Sequence, residues 1–145
     1  MKINYVVNQK ISADEFIGIL NRSTLGERRP VENEKCIQGM LDHADILVLA
    51  MDGEKIVGVA RAVSDFNYAC YLSDLAVDVA YQKMGIGQKL IEKVQEQLEE
   101  GCKIILLSAP AATVYYPKIG FTQHPSAWVL TKLLGESVKN SFVEK

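Results

Sequence analysis

The sequence predicts a single α/β domain built on a mixed, mostly antiparallel sheet, with a central parallel strand–helix–strand crossover and flanking helices. Three observations predict this class. The chain has 145 residues, about the length of one domain. Short β-type segments alternate with amphipathic helical segments along it. No linker, repeat or low-complexity segment divides residues 1–145, so we expect one domain with a flexible tail at about residues 133–145.

The N-terminal part of the chain predicts a strand followed by two helices. Residues 3–7 form a short β-type run. Ser12 and Glu15 have the spacing of a capping box, and an apolar stretch with helical spacing follows them. Residues 21–30 are polar and charged, which is typical of a loop. A second, shorter helix is predicted from Val31 to Asp42.

The middle of the chain predicts a hairpin and a further strand. Residues 46–51 are continuously apolar, Asp52-Gly53 is a favoured tight-turn pair, and residues 55–63 have the pattern of a returning strand. Another strand is expected from about Ala69 to Val77. The hairpin therefore supplies the antiparallel part of the sheet.

The segment after this hairpin predicts the parallel crossover. Residues 82–100 have the pattern of the longest helix, with Gly101 at the expected C-cap position. Residues 104–107 are too continuously apolar for a surface strand and predict a strand inside the sheet. Because one strand precedes this helix and another follows it, residues 69–107 should form a parallel unit.

The C-terminal part predicts a short helix and short terminal strands. The helix is expected from Ala111 to Ile119 and ends at Gly120. The strands are expected at residues 121–124 and 128–131. Apolar residues in the tail could serve a partner surface in a homodimer: Leu133, Leu134, Val138 and Phe142.

Charge and hydropathy exclude several classes of protein. The chain carries 16 basic and 18 acidic residues and a formal net charge of −2, which argues against a protein that coats nucleic acid. No apolar run approaches the ~18 residues of a membrane span. The N-terminus has no apolar signal core. We therefore expect a cytoplasmic protein with neither a nucleic-acid nor a membrane partner.

The cysteines show no pattern of a disulfide framework or a metal site. Cys36, Cys70 and Cys102 are odd in number and widely spaced. With only His43 and His124 to join them, no zinc-ligand spacing arises, so we expect no metal. Buried, reduced thiols are the favoured interpretation. A cysteine nucleophile paired with a distant histidine is the alternative.

The most informative segment is the loop before the long helix. Its two glycines, Gly85 and Gly87, allow several N–H groups to point into one concavity, which suits a phosphate. The helix start adds unpaired donors and partial positive charge. Lys83 and Lys89 stand at this end, whereas acidic residues crowd the far end. A solvated helix face would explain the charges alone, but together with the glycines they favour an anion site.

Known phosphate-binding motifs differ in how well they match this loop. A dinucleotide fingerprint would need a third glycine where Leu90 stands, and an acidic residue about twenty positions further on, which is absent. A Walker loop would need Gly-Lys-Ser/Thr. The pattern that remains, Gln-x-x-Gly-x-Gly from Gln82 to Gly87, resembles the pyrophosphate loop of the Gcn5-related N-acetyltransferase (GNAT) superfamily.

A second motif strengthens the resemblance, which extends over nearly the whole chain. Residues 114–121, Val-Tyr-Tyr-Pro-Lys-Ile-Gly-Phe, look like the family's aromatic-Tyr-x-Lys-x-Gly-Phe segment. The resemblance implies the GNAT fold and acetyl-CoA as co-substrate. Main-chain groups near Val77 would bond the pantetheine arm, and loop amides would hold the pyrophosphate. The residues implied to bind the cofactor are Leu75, Ala76, Val77, Gln82, Lys83, Met84, Gly85, Ile86, Gly87, Gln88 and Ala109.

One position departs from the family pattern. Relatives often carry an asparagine that bonds the pantetheine where this chain has Ala109. Either that contact is lost or the backbone of Ser108 and Ala109 replaces it, which leaves the acyl-chain preference open. Pro117, in the middle of the second motif, implies a locally interrupted or tightened helix.

The resemblance also implies catalytic roles. Acyl transfer from a thioester needs a neutral amine, a stabilised oxyanion and a proton for the leaving thiolate. Tyr116 is the implied general acid, with a core or capping tyrosine as the alternative, and a backbone N–H near Val77 is the implied oxyanion donor. Asp74 or Ser73 could act as a base through water. Strand alternation would send them to opposite faces, and a structural carboxylate is the favoured role of Asp74.

The acceptor is expected to be the primary amine of a small molecule, acetylated by direct transfer in a ternary complex. The resemblance implies an acceptor site at residues 21–43 and 122–132. Arg28 and Arg29 lie there and would suit an acidic group on the acceptor, although a solvated loop is the favoured explanation for them. The alternatives are a protein N-terminal or lysine acetyltransferase and a non-catalytic acyl-CoA sensor.

Overall fold

The computed structural model describes residues 2–135. It divides the chain into two compact units that meet in sequence after Leu107. The first unit holds a five-stranded sheet and three α-helices, and the described part of the second, residues 108–135, holds short helical turns. The assignment of residues 1–145 to one domain stays a prediction.

The sheet of the first unit has its five strands in chain order. The first four strands pair antiparallel, and the fourth and fifth pair parallel. This arrangement confirms the mixed α/β class, the hairpin and the parallel crossover. The strands are β1 (Asn4–Val7), β2 (Ile46–Asp52), β3 (Lys55–Ser64), β4 (Ala69–Val77) and β5 (Lys103–Ile105).

Local capping sets where the first two helices begin. The predicted capping box is confirmed at α1 (Ala13–Arg22), because the Glu15 amide donates to Ser12 Oγ and the Ser12 amide to Glu15. The second helix, α2 (Glu34–Asp42), begins three residues later than predicted. There the Asn33 side chain accepts the Cys36 N–H and forms the N-cap.

The third helix, α3 (Ile86–Gln95), is shorter than the expected helix over residues 82–100. At its start Gly85 is left-handed, with φ of 82°, so the preceding residues remain a loop. If the helix continued past Gln95, the acidic residues that follow would add negative charge to its negative pole. The Glu99 N–H does not continue the helix and donates to Phe66 O at 2.9 Å. Gly101 consequently lies beyond the helix.

The helices cover both faces of the sheet. Leu47 and Leu49 belong to a core cluster with residues of α1 and α2. Because successive side chains of a strand alternate, the next residue, Ala50, faces the other way. It lies beside Gly58, where an added Cβ would meet Ala50, Ile86 of α3 and Leu90 of α3 at 3.2 Å. Gly58 therefore lets α3 approach the sheet closely.

The fifth strand lies at the end of the sheet, so the expected strand inside the sheet at residues 104–107 is wrong. It has three residues and pairs with β4 only from Ala69 to Tyr71. Ile105 and Leu107 are each 50% exposed in this structure. Within the described residues, no strand pairs with Leu75–Val77 on the β5 side. The C-terminal half of β4 therefore keeps an open edge.

The described part of the second unit, residues 108–135, contains a short 3₁₀ turn and one short helix, α4 (Tyr115–Lys118). The helix expected at residues 111–119 is wrong in its extent, and the interruption implied by Pro117 is confirmed, because Pro117 has no N–H to donate to Thr113 and its ring would clash there. The expected strands at residues 121–124 and 128–131 are also wrong, since neither pairs with a strand in the described chain.

The apolar tail residues lie partly outside the described range. Leu133 and Leu134 are exposed, and so is Trp128 just before them. Val138 and Phe142 lie outside the described residues. The homodimer stays a prediction.

We expect Gly58→Val to destabilise the first unit by about 1–3 kcal/mol, because the new side chain would overpack the contact between α3 and the sheet. Gly39→Ala is the control: open space surrounds Gly39 on α2, and alanine should raise the free energy of unfolding there by about 0.5–1 kcal/mol. Urea unfolding measures both changes. An unchanged midpoint for Gly58→Val would contradict the close approach.

Candidate functional site

The loop between β4 and α3 begins with a capped turn. The Asp78 carboxylate accepts the Ala80 N–H at 2.9 Å, and the Tyr81 N–H donates to Asp78 O at 2.8 Å. After this 3₁₀ turn the chain bends twice through left-handed conformations, at Lys83 with φ of 66° and at Gly85 with φ of 82°. Successive bends of this kind can direct neighbouring main-chain N–H groups into one concavity.

The amides of this loop form a row of available donors. No acceptor in the described part of the chain takes the N–H groups of Lys83, Met84 or Gly85. The next three amides belong to the first turn of α3, which by its geometry has no acceptors inside the helix. The Lys89 N–H then bonds Gly85 O at 3.1 Å. No acidic side chain lies in that first turn. The arrangement suits an anion with several oxygens.

The open edge of β4 lies directly before this loop in the chain. Leu75–Val77 have main-chain groups on the β5 side that no strand of residues 2–135 uses. The Gln82 side chain reaches back across the loop to Val77 O at 3.2 Å. The structure thus places a strand edge, which can pair with an extended, amide-containing ligand, next to a loop whose amides can bind phosphates. Pantetheine followed by a pyrophosphate has this chemistry, so the residues fit coenzyme A.

A buried ion cluster lies on the N-terminal side of that edge. Asp74 is fully buried, and its two carboxylate oxygens accept from Arg29 Nε and Arg61 Nε at 2.5 Å each. The sequence did not predict Arg61 in this cluster, although a charged residue within the apolar run of β3 is itself a signal of a buried ion pair. Two guanidinium groups hold the carboxylate, which favours a structural role for Asp74.

A β-bulge changes the expected relation between Asp74 and Ser73. Arg61 pairs with Asp74, whereas Ala62 pairs with Leu72, so β4 carries one additional residue at Ser73. The Arg61 guanidinium reaches both side chains, with Nη2 donating to Ser73 Oγ at 2.8 Å. The expectation that alternation would separate the two side chains is therefore wrong.

The two arginines considered for acceptor binding differ in environment. Arg29 donates from Nε to Asp74, from Nη2 to Ser73 O and from Nη1 to Arg28 O. All three of its nitrogens are thus engaged within the protein. Arg28 is exposed. Beside them lies a cavity of about 460 Å³, lined by Gly26, Glu27, Arg29, Pro30, Val31, Glu32 and Asn33.

A second set of polar contacts, which the sequence did not predict, surrounds the turn before the loop. Arg22 Nε donates to Asp78 Oδ2 at 3.1 Å, although Asp78 is almost completely buried. Tyr81 Oη donates to Asp52 Oδ2 at 2.6 Å, and this hydrogen bond raises the pKa of Tyr81. The only sequence signal was an aspartate directly after a buried strand.

The second unit carries the tyrosine motif. The Tyr116 ring makes edge-to-face contacts with Tyr115 and Phe121, at centroid distances of 5.2 and 5.4 Å. The Phe121 N–H donates to Tyr116 O at 3.0 Å. Burial raises the pKa of Tyr115. Ala109 is the N-cap of the 3₁₀ turn in this unit.

The thiols differ from the expectation of uniform burial. Cys70 is buried, and burial raises the pKa of its thiol. Cys36 is exposed and Cys102 is partly exposed, so that expectation is wrong for Cys36.

Among residues 2–135, no three His, Cys, Asp or Glu side chains are grouped as metal ligands. No helix in the same range is long and apolar enough to cross a membrane.

Comparison with solved structures identifies the class of fold. A GNAT family acetyltransferase from Streptococcus pneumoniae superimposes with a TM-score of 0.72 at 22% identity, covering 90% of this chain and 100% of that one. The aminoglycoside N-acetyltransferase AAC(6′)-Iy, solved in complex with CoA, gives a TM-score of 0.69 at 19% identity, covering 90% and 95%. At these identities the comparison shows the fold alone, which is the GNAT fold.

Comparison of sequences identifies the family. Residues 42–123 match the model of the acetyltransferase (GNAT) domain. An uncharacterized N-acetyltransferase, ycf52, of Pyropia yezoensis is 32% identical over 113 residues, which are 77% of this chain and 62% of that protein. The chloroplastic GCN5-related N-acetyltransferase 1 of Arabidopsis thaliana is 34% identical over 94 residues, 61% and 47% of the two chains.

The chain belongs to the GNAT acetyltransferase domain family, as the resemblance predicted, since the family model covers more than half of it. The chain spans about half to two thirds of the length of the two relatives described above.

We expect Asp74→Asn to lower the free energy of unfolding by about 3–5 kcal/mol, because it would leave two guanidinium groups without their buried countercharge. Asp42→Asn, at an exposed position of α2, should have little effect. Urea unfolding compares the two variants. If Asp74→Asn had normal stability but no acetyl-transfer activity, the structural role would be contradicted and a role of Asp74 as general base would be favoured.

Proposed function

We propose that this chain is an acetyl-CoA-dependent N-acetyltransferase that moves an acetyl group to the primary amine of a small molecule by direct transfer in a ternary complex. One observation carries the proposal: a row of available amides at the start of α3 follows directly on the open edge of β4. In a chain of the GNAT family, this combination of free amides and an open strand edge is what a phosphopantetheine-bearing donor requires.

The loop and the strand edge would hold the donor by different groups. The amides of Gln82–Gln88 would bind the pyrophosphate oxygens, and the positive end of α3 would stabilise their charge. Lys83 and Lys89 lie at this end of the helix and add charge. Main-chain groups of Leu75–Val77 would bond the amides of the pantetheine arm. At Ala109 the family's asparagine contact would be either lost or replaced by the backbone of Ser108 and Ala109. Acetyl-CoA, when bound, supplies the acetyl group as an activated thioester.

The acyl-transfer step then needs an oxyanion donor and a neutral amine. A main-chain N–H near Val77 is the proposed donor to the developing oxyanion, which needs no side chain. Asp74 is held by two arginines. We therefore assign no dedicated carboxylate base, and the amine would lose its proton to solvent.

Tyr116 is the proposed general acid for the leaving thiolate. Its motif, with glycine and phenylalanine following, supports the role. The contact with Phe121 restrains the ring, and a fixed ring is what a proton donor in a defined direction requires.

The proposed acceptor is a small-molecule amine, and the name of one structural neighbour, an aminoglycoside N-acetyltransferase, supports this class. Arg28 remains the candidate contact for an acidic group on the acceptor, whereas Arg29 is engaged with Asp74. A protein N-terminus or lysine as acceptor, and a sensor without turnover, are the other outcomes of an acceptor screen.

The proposed compartment is the cytoplasm. The Arabidopsis relative is named as chloroplastic, so organelle fractionation with an antibody to this protein would separate the two locations.

The proposal is tested by first measuring acetyl-CoA binding by thermal shift and then screening a panel of amines for thiol release. The expected result is stabilisation by acetyl-CoA, and thiol release only with particular small amines. Binding without thiol release for any amine or peptide would favour the sensor. No binding at all would contradict the cofactor assignment.

We expect Tyr116→Phe to lower kcat by about 100-fold or more, since the thiolate would lose its proton donor, while the Kd for acetyl-CoA stays within a few-fold. Steady-state kinetics and calorimetry measure the two quantities. Tyr115→Phe is the matched control and should retain turnover. Equal rates for both variants would remove Tyr116 from the mechanism.

We expect Gly85→Ala to weaken acetyl-CoA binding about tenfold, because alanine disfavours the left-handed backbone by roughly 1–2 kcal/mol and would turn the loop amides away from the pyrophosphate. Gly101→Ala is the control, since Gly101 is also left-handed and has open space around its Cβ position. It should cost similar stability and leave the Kd unchanged. Equal Kd values for both variants would argue against the loop as the binding site.

A further inference from the structure

Residues Val79–Tyr81 form a 3₁₀ turn, and the phosphate loop, residues 82–85, follows it. A buried carboxylate ties the start of this turn to the rest of the fold. Asp78 is 3% exposed. Its Oδ2 accepts from Arg22 Nε at 3.1 Å and lies 3.9 Å from Lys55 Nζ, while Oδ1 accepts the Ala80 N–H. Arg22 also donates to Ile56 O at 2.6 Å. Asp78 therefore fixes the start of the turn to α1 and β3.

The end of the same turn is tied to the hairpin by a different contact. Tyr81 Oη donates to Asp52 Oδ2 at 2.6 Å, a charge-assisted hydrogen bond. Lys55 Nζ lies 5.4 Å from the centre of the Tyr81 ring. Asp52 is the last residue of β2 and precedes the tight turn into β3. The tyrosine, which directly precedes the loop, is thus connected to the end of β2.

The loop itself has few internal contacts that could fix its shape. Between Gln82 and Gly85, the one side-chain hydrogen bond found within the described residues runs from Gln82 to Val77 O at 3.2 Å. On the helix side, Ile86 is held against the sheet at Gly58. The direction of the loop amides therefore depends on the two flanks of the loop: the packing of Ile86 on one side, and on the other the turn that Asp78 holds at its start and Tyr81 at its end.

We propose that Tyr81 and Asp52 are positioning residues for the pyrophosphate of the donor. This inference rests on the proposed function, since it concerns the same donor site. Their hydrogen bond holds the end of the 3₁₀ turn in place, so that the amides after it point to one phosphate position. Both residues act through the loop backbone. The bond consequently matters for a donor with a pyrophosphate and not for one that ends at pantetheine.

The different effect expected on a ligand with and without a pyrophosphate distinguishes a positioning role from a general structural role. A structural defect would weaken binding of any ligand along the β4 edge and the loop together. A loss of loop geometry alone would weaken only the phosphate contacts, because Leu75–Val77 are held by β3 on their other side. Coenzyme A and pantetheine share the arm and differ in the pyrophosphate and nucleotide, so together they report on the two parts.

The experiment measures the Kd of CoA and of pantetheine by calorimetry for the full chain and for Tyr81→Phe and Asp52→Ala. We expect the Kd of CoA to rise about tenfold in each variant, as for loss of one charge-assisted hydrogen bond, and that of pantetheine to stay within about twofold. The double variant should be no worse than either single one, because both remove the same bond. Asp52→Asn keeps an acceptor oxygen and should bind CoA nearly as the wild type does.

Tyr68→Phe is the matched control, since Tyr68 is exposed and its ring contacts Lys103 of β5. It should leave both Kd values unchanged. An equal rise for CoA and pantetheine in Tyr81→Phe, or no rise for either, would overturn the positioning role. Additive effects in the double variant would also overturn it. A wild type that binds CoA but transfers no acetyl group would contradict the proposed enzyme while this binding test still applies; a wild type that binds no CoA would overturn both.

Discussion

The ion cluster at Asp74 is the constraint around which the first unit is arranged. A carboxylate without solvent needs countercharges and hydrogen bonds, and Arg61 and Arg29 supply them from β3 and from the turn after α1. Because Arg29 also bonds Ser73 O, the turn is fixed to the main chain of β4 at the bulge. The strand that would hold the donor and the segment that borders the neighbouring cavity are thereby joined by direct hydrogen bonds.

The same strand owes its open edge to the shortness of its neighbour. β5 pairs with only the first three residues of β4, and α3 connects the two strands across the face of the sheet. Since Gly58 allows Ile86 and Leu90 to approach closely, α3 begins close above the end of β4. The free amides of its first turn therefore follow immediately on the free edge. The proposed donor site would result from this packing, with main-chain groups as its direct contacts.

Local patterns in the sequence were sufficient for much of this architecture. The capping box at Ser12, the hairpin around Gly53 and the glycines before α3 each act within a few residues, so one sequence reveals them. The bulge at Ser73 and its ion cluster could not be predicted in this way, because Arg29 and Asp74 are brought together only by the fold. Helix ends also escaped prediction, since Gln95 was followed by residues with good helical periodicity. The strands expected after Phe121 failed because a strand needs a partner that periodicity does not reveal.

The charge pattern of α3 connects the length of the helix with its proposed use. Its first turn carries no acidic residue, whereas Glu92 lies in its second half and Glu96, Glu99 and Glu100 lie at or beyond its C-terminal end. The pairs Lys89–Glu92 and Lys93–Glu96, at 3.3 and 3.6 Å, compensate part of this unfavourable order. An acidic residue in the first turn would stabilise the helix more, but it would also repel an anion from the amides. The positive pole of the helix is therefore left without an acidic side chain. The acidic residues are concentrated at the negative pole, where they are unfavourable, and the helix ends before most of them. A net charge of −2 conceals this separation, which favours a compact polyanion at one end of one helix.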